Sequence, residues 1–240
     1  MARRPARRSA RPPRPARRAS SNGPTVGERD RIVAAFLALL AEKPFEDIGL
    51  ADIAGRASVS LAQLRGEFPS TLAILAAHMK ATDRAVLAED FSDMVEEPAR
   101  ERLFDVLMRR VEILAPHREA LRSLLRAARR NPPLALALNA LAVRSQQWML
   151  TAAGINASGP RGMIRAQSLA VLFSSVLRTF IDDEDSGLAR TMAALDRALA
   201  RGQRFGGFID DLCCIPARLC RLRKRRRRRY EDESEEPAAA

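Results

Sequence analysis

Apolar side chains recur along this chain at the three- and four-residue spacing of helices. Ile32, Ala35, Phe36, Leu39 and Leu40 fall on one stripe and predict a helix over about residues 28–41. Two short helices fit residues 50–57 and 61–68, and a longer one starts near Ser70 with Leu72, Leu75, Met79, Thr82 and Val86 on a single face. Pro98 precedes a helix whose inward side carries Phe104, Leu107, Met108, Val111 and Leu114, and Pro116 ends it. Leu121, Leu124, Leu125 and Ala128 mark another, stopping before Asn131-Pro132-Pro133. A helix of about 133–153 carries Leu134, Leu138, Leu141 and Trp148. After the loop from Gly154 to Gly159, Pro160 suits the first turn of a helix to about Phe180 that buries Leu169, Leu172, Phe173, Val176 and Leu177. The acidic turn Asp182-Asp183-Glu184-Asp185 suits the positive N-terminal end of a last helix, where Leu188, Met192, Leu195 and Leu199 keep a heptad-like repeat. No segment has the alternation of a strand. The expectation is an all-α chain.

The segment from Gly49 to Ser70 carries the chemistry. Leu50, Ile53, Ala54 and Ala57 give a short helix with one apolar face, broken at Ser58-Val59-Ser60. Ser60 is a good N-cap, and Gln63 three residues on completes a Ser-x-x-Gln capping box. Leu64 and Phe68 then point inward, leaving Ala62, Gln63, Arg65, Gly66 and Glu67 outward. A helix, a short turn and a second helix with an exposed N-terminal half is the geometry that enters a DNA major groove.

Charge changes the picture less than its size implies. The net charge is +12, but residues 1–27 hold eight Arg and no acid, while residues 218–240 hold nine Lys/Arg and five acids. The tails therefore account for the whole excess, and the middle of the chain is formally neutral. Residues 1–25 form an Arg/Pro-rich arm in which proline and like-charge repulsion predict disorder. Its two readings are a solubilising tail and an arm tracking phosphates or the minor groove. No stretch of about 18 apolar residues appears, so no transmembrane helix is expected, and the charged start does not fit a secretory signal. Cys213, Cys214 and Cys220, an odd number crowded near the C-terminus, form no disulfide framework and have no nearby His for a zinc site. A reducing, cytoplasmic compartment is expected.

The order and spacing of Phe45, Ile53-Ala54, Val59-Ser60, Leu64 and Phe68-Pro69-Ser70 resemble the N-terminal signature of the tetracycline-repressor (TetR) family. The resemblance implies an N-terminal three-helix bundle with a helix-turn-helix over residues 26–75. It also implies a helical effector-binding and dimerisation domain over 76–204; the composition after it marks a Cys-containing polybasic, then acidic, tail over 205–240. Double-stranded DNA, a homodimer built on the helices at about 160–180 and 185–201, and a small apolar effector are the partners it implies, with a repressor role. Four positions depart from the family pattern: it usually has Ser or Thr at Gly49, Gly at Ser58 and Tyr at Arg65, and often a phosphate-contacting Lys at Thr71. The DNA-contacting candidates are Gly49, Ser60, Ala62, Gln63, Arg65, Gly66 and Thr71, with Gln63 and Arg65 foremost and Ser60 and Thr71 as phosphate donors.

Phe104, Met108, Leu125, Trp148, Met149 and Phe173 are the candidate lining of the effector pocket, since Met and aromatic side chains adapt to apolar ligands; plain core packing is their other reading. His78 and His117, 39 positions apart, fit a surface or packing role. The acids at 182–185 fit a helix cap better than a metal site. No phosphate loop, activated nucleophile or metal spacing occurs, so neither catalysis nor a cofactor is expected. Two other functional readings remain. One is a TetR-like lipid-binding accessory protein of ubiquinone biosynthesis, docking on membranes through Phe205, Phe208, Ile209, Leu212, Ile215 and the Arg218–Arg229 run. The other is a nucleic-acid binder without sequence preference that works through its tails.

Overall fold

A computed structural model describes residues 27–89 and 96–202. The expected arm over 1–25 and the expected tail from 205, with its cysteines and amphipathic segment, lie outside those residues. The described chain is all-α, with no strand among the described residues. Its helices are α1 (Glu28–Glu42), α2 (Leu50–Ala57), α3 (Leu61–Glu67), α4 (Thr71–Leu87), α5 (Ala99–Leu114), α6 (Arg118–Arg130), α7 (Pro132–Ala152) and α8 (Gly159–Ile181). A last helix, α9, covers residues 189–202, and single 3-10 turns sit at Phe45–Asp47 and Ala115–His117.

The helix ends follow their local chemistry. Asn131 accepts a hydrogen bond from the Leu134 amide at 3.0 Å, and Pro132 and Pro133 fill the first turn of α7, where missing donors cost nothing. At α9, Asp183 accepts from both the amide (2.8 Å) and the hydroxyl (2.7 Å) of Thr191, while Asp185 accepts from the Ala189 amide at 3.0 Å. The acidic turn is thus a cap. Burial would raise the Asp183 carboxyl, but the hydrogen bonds from Thr191 and the Asp185 amide outweigh it and hold the group below its ordinary range. Gly162, in the first turn of α8, is required sterically: a Cβ there would lie 2.0 Å from the carbonyl carbon of Ala157.

Two apolar clusters organise the chain. The first joins Ile32, Phe36, Leu40, Ile53, Leu64, Phe68 and Ile74, and α6 adds Ala120 and Leu124 to it. Packing therefore crosses the boundary expected at residue 75. The second runs from Val86 through Leu107, Val111, Met149, Phe173, Phe180 and Leu195. α4 supplies both clusters, with Ile74 and Leu75 in one and Val86 in the other. α6 also faces both ways: Ser123 donates to the Lys43 carbonyl at 3.3 Å, while Arg118 and Arg122 donate to the carbonyls of Asp183 and Ile181 at the C-terminal end of α8. Cations at that end complement the helix dipole. α7 and α8 are joined by a reciprocal amide pair, Asn139 and Gln167, both bonds at 3.0 Å.

Several positions differ from the sequence expectation. Leu50, the first residue of α2, is 47% exposed although its spacing puts it on the same face as the buried Ile53. On the second half of α7 the buried positions are Val143, Ser145, Gln146, Met149 and Leu150, so Trp148 faces out. Its register places it with Leu141 and Arg144, one helical step off the buried face. On α9, Met192 is exposed while Leu188, Leu195 and Leu199 are buried. α8 is also long and apolar enough to cross a membrane by length and composition alone. Its Ala166, Leu169, Phe173, Val176 and Phe180 pack into the second cluster, which accounts for that composition as a core helix.

Candidate nucleic-acid interface

The turn between α2 and α3 is fixed by Ser58, which takes the left-handed conformation at φ +54° and ψ +46°. That is the conformation for which glycine is favoured, and Ser adopts it at a cost of about 1 kcal/mol. Val59 donates to the Ala54 carbonyl at 3.0 Å and closes the turn. The next residue, Ser60, is the N-cap of α3. Ser60 Oγ accepts from the Gln63 amide at 3.1 Å, and Gln63 Oε1 accepts from the Ser60 amide at 2.8 Å, forming the expected capping box.

Leu64 and Phe68 are buried beneath α3, which turns Leu61, Ala62, Gln63, Arg65 and Gly66 to the surface. The capping box constrains two of the expected contacts. Gln63 has its carbonyl oxygen committed and its NH2 group available to donate. Ser60 uses its oxygen as acceptor and keeps its hydroxyl proton available to donate. Arg65 bends back to donate to the Pro69 carbonyl at 2.9 Å, an exposed bond that an anion can displace. Gly66 has open space around its missing side chain, so nothing in the fold itself requires glycine there. Leu61, 57% exposed at the first position of α3, was hidden by its hydropathy; an apolar side chain there suits a thymine methyl.

The flanking ends hold this platform in place. Gly49 caps α2 through its backbone only, and its amide donates to Asp52 at 3.0 Å. Asp52 also takes a bond from Lys43 at 2.6 Å; that ion pair, followed by the Gly49 amide, lowers its pKa. Arg56 grips Glu42 in a two-pronged pair at 2.8 and 2.6 Å, pinning α2 to α1 and lowering the Glu42 pKa. Arg29 lies 4.3 Å from the ring centroid of Phe68 and donates to Glu67, clamping the far end of α3 to α1. Ser70 caps α4 by accepting from the Ala73 amide at 3.2 Å, which leaves Thr71, half-buried, on the first turn.

The six residues expected around an effector divide. Met108, Met149 and Phe173 are buried in the second cluster with Phe104 and Leu125 packed against it, so five of them share one core. Trp148 stands apart, 58% exposed. A buried polar group that hydropathy did not reveal lies beside that core. Arg110 pairs with Asp83, and Ser145 donates to the same carboxylate oxygen at 2.7 Å. The two histidines, far apart in sequence, meet edge to face with ring centroids 5.0 Å apart. Burial, then the facing His117 and Arg110, push the His78 pKa down to about 4, and burial lowers that of His117. Among the described residues, no group of three or more His, Cys, Asp or Glu is arranged to hold a metal ion.

α2 and α3 thus form a clamped helix-turn-helix with an exposed second helix, carried by a longer helical bundle. Solved structures share that fold: a TetR transcriptional regulator from Nitrosomonas europaea, 22% identical, covers 72% of this chain and 96% of its own with a TM-score of 0.56. A TetR transcriptional regulator from Rhodococcus sp. RHA1, 21% identical, covers 72% and 94% with a TM-score of 0.52. No family model matches the sequence, and no curated protein matches it.

Proposed function

We propose that this chain is a homodimeric, sequence-specific DNA-binding transcriptional regulator, a repressor released by a small ligand. The observation that carries the proposal is the presentation of α3: Leu64 and Phe68 anchor one face, while Leu61, Ala62, Gln63, Arg65 and Gly66 stand on the other. Arg65 is the foremost base or phosphate contact, Gln63 donates through its free NH2 group, and the Ser60 hydroxyl and the first turn of α4 at Thr71 face phosphates.

The outer faces of α8 and α9 support a two-fold assembly. Ile164, Ser168, Val171 and Ser175 form one exposed stripe along α8, with Val171 59% exposed and Ile164 39% exposed, and α9 adds Met192 at 39%. Small and apolar residues at that spacing suit close helix packing against a second copy. Ligand control is supported by α4 and α6, each of which touches both apolar clusters. A ligand that shifts either helix changes the setting of the two recognition helices, so ligand and DNA affinities are reciprocally coupled. The segment on which a lipid-docking role would rest, residues 205–229, lies outside the described residues.

Selection of bound sequences from a random double-stranded DNA pool, with excess heparin to compete for the tails, tests the reading. The expected product is a palindrome with half-sites one or more helical turns apart. An unenriched pool contradicts it.

A further inference from the structure

A cleft of about 560 Å³ opens between α4 and α7 on the side away from the second cluster's core. Met79 and Leu141 make part of its wall, and the exposed indole of Trp148 stands at its edge. Lys80, Arg84 and Arg144 also line it. Among the described residues, no carboxylate lies within ion-pair distance of any of these three cations, and none of them stacks on the Trp148 ring. The acid at the base, Asp83, is already committed to Arg110 and Ser145. The cleft thus combines three uncompensated positive charges, an unstacked aromatic face and an apolar wall in a volume typical of small-molecule sites.

We infer that this α4–α7 cleft binds an aromatic carboxylate. The planar body stacks on Trp148 and against Met79 and Leu141, and the carboxylate is held by Arg84 and Arg144 with Lys80 adding charge. An indole more than half exposed is costly in water, and covering it with a ring recovers that apolar area. A neutral ring system would leave the three cations unanswered, and a bare anion would leave the indole uncovered, so the ligand carries both features. The site deepens the effector part of the proposed function and rests on that reading for its regulatory meaning, though not for binding itself. α4 is the element through which occupancy would reach the recognition helices, because Ile74 and Leu75 sit in the first cluster at its other end.

Trp148 is the one tryptophan in the sequence, so fluorotryptophan incorporated into the full chain reports on this cleft alone by fluorine NMR. Titration with naphthoate and with biphenylcarboxylate should give a saturable shift with Kd below about 1 mM, and naphthylmethanol should bind at least about tenfold more weakly. The Arg84→Gln/Arg144→Gln variant should lose about tenfold or more in carboxylate affinity at an unchanged melting temperature, since neither arginine has an ion-pair partner among the described residues. Lys80→Gln gives a second, smaller loss and serves where the double variant fails to fold. No saturable shift with either carboxylate, equal binding of the neutral compound, or affinity indifferent to the loss of charge would overturn the inference. None of these readings involves DNA, so failure of the site and failure of the DNA-binding reading are distinguishable.

Discussion

Ser58 occupies a left-handed conformation in the turn that aims α3, and its side chain makes no hydrogen bond that offsets the strain. Ser58→Gly should therefore raise stability by about 1 kcal/mol, a gain of about 2–4 °C in melting temperature for a chain of this size by calorimetry. A fall instead would mean that glycine's greater freedom in the unfolded chain outweighs the relieved strain. Arg110 presents the opposite case. It is 3% exposed and paired with the buried Asp83, so Arg110→Met leaves a carboxylate with only Ser145 to satisfy it. The expected loss is about 3–5 kcal/mol in urea unfolding, and restoring neutrality with Asp83→Asn in the same chain should recover part of it.

α4 and the 3-10 turn before α6 meet through His78 and His117, and that contact makes the fold sensitive to acid. The pKa of His78 falls from an ordinary 6.5 to about 4, so the unfolded chain binds a proton more readily than the folded one. Stability is then fully present above pH 6.5, declines as pH falls from 6.5 to about 4, and is lost by up to about 3 kcal/mol across that window. Glu42, Asp52 and Asp183, whose pKa values are lowered, act below it. Urea midpoints measured from pH 7 to pH 4 should show the decline, and His78→Gln should flatten it; an unchanged slope in the variant would assign the effect elsewhere. The meeting of these rings was not legible in the sequence, because nothing in the spacing of 78 and 117 says that α4 and the turn before α6 come together. The stripe on α1 and the capping box at Ser60 were legible, since both depend on neighbours within one or two turns. α7 was misread at Trp148 because its buried face contains Ser145 and Gln146, and hydropathy assigns an inward position to tryptophan before it does so to serine. Only the partner across the interface, Asp83 on α4, makes a buried serine favourable there.

At the scale of the whole molecule, the proposed regulator presents the exposed α3 from a two-fold assembly through α8 and α9. Val171→Asp, placed in the middle of the exposed α8 stripe, should give a monomer by sedimentation while leaving the helical content unchanged, because that side chain contributes little to the fold. A dimer that survives it would move the interface elsewhere. On the proposed DNA-binding reading, the formal neutrality of the middle of the chain assigns attraction to any polyanion to the tails and sequence preference to α3. The most direct measurement is therefore equilibrium binding of the full chain to its selected palindrome, in the presence of excess heparin, compared with Arg65→Ala. Among the described residues Arg65 makes one hydrogen bond, an exposed one to the Pro69 carbonyl, so the variant should melt with the parent protein. Nanomolar binding by the parent protein is expected, with a loss of about 1–3 kcal/mol per half-site in the variant, roughly tenfold or more. Equal affinity of the two proteins, or equal affinity of the parent for palindrome and scrambled DNA, would contradict it.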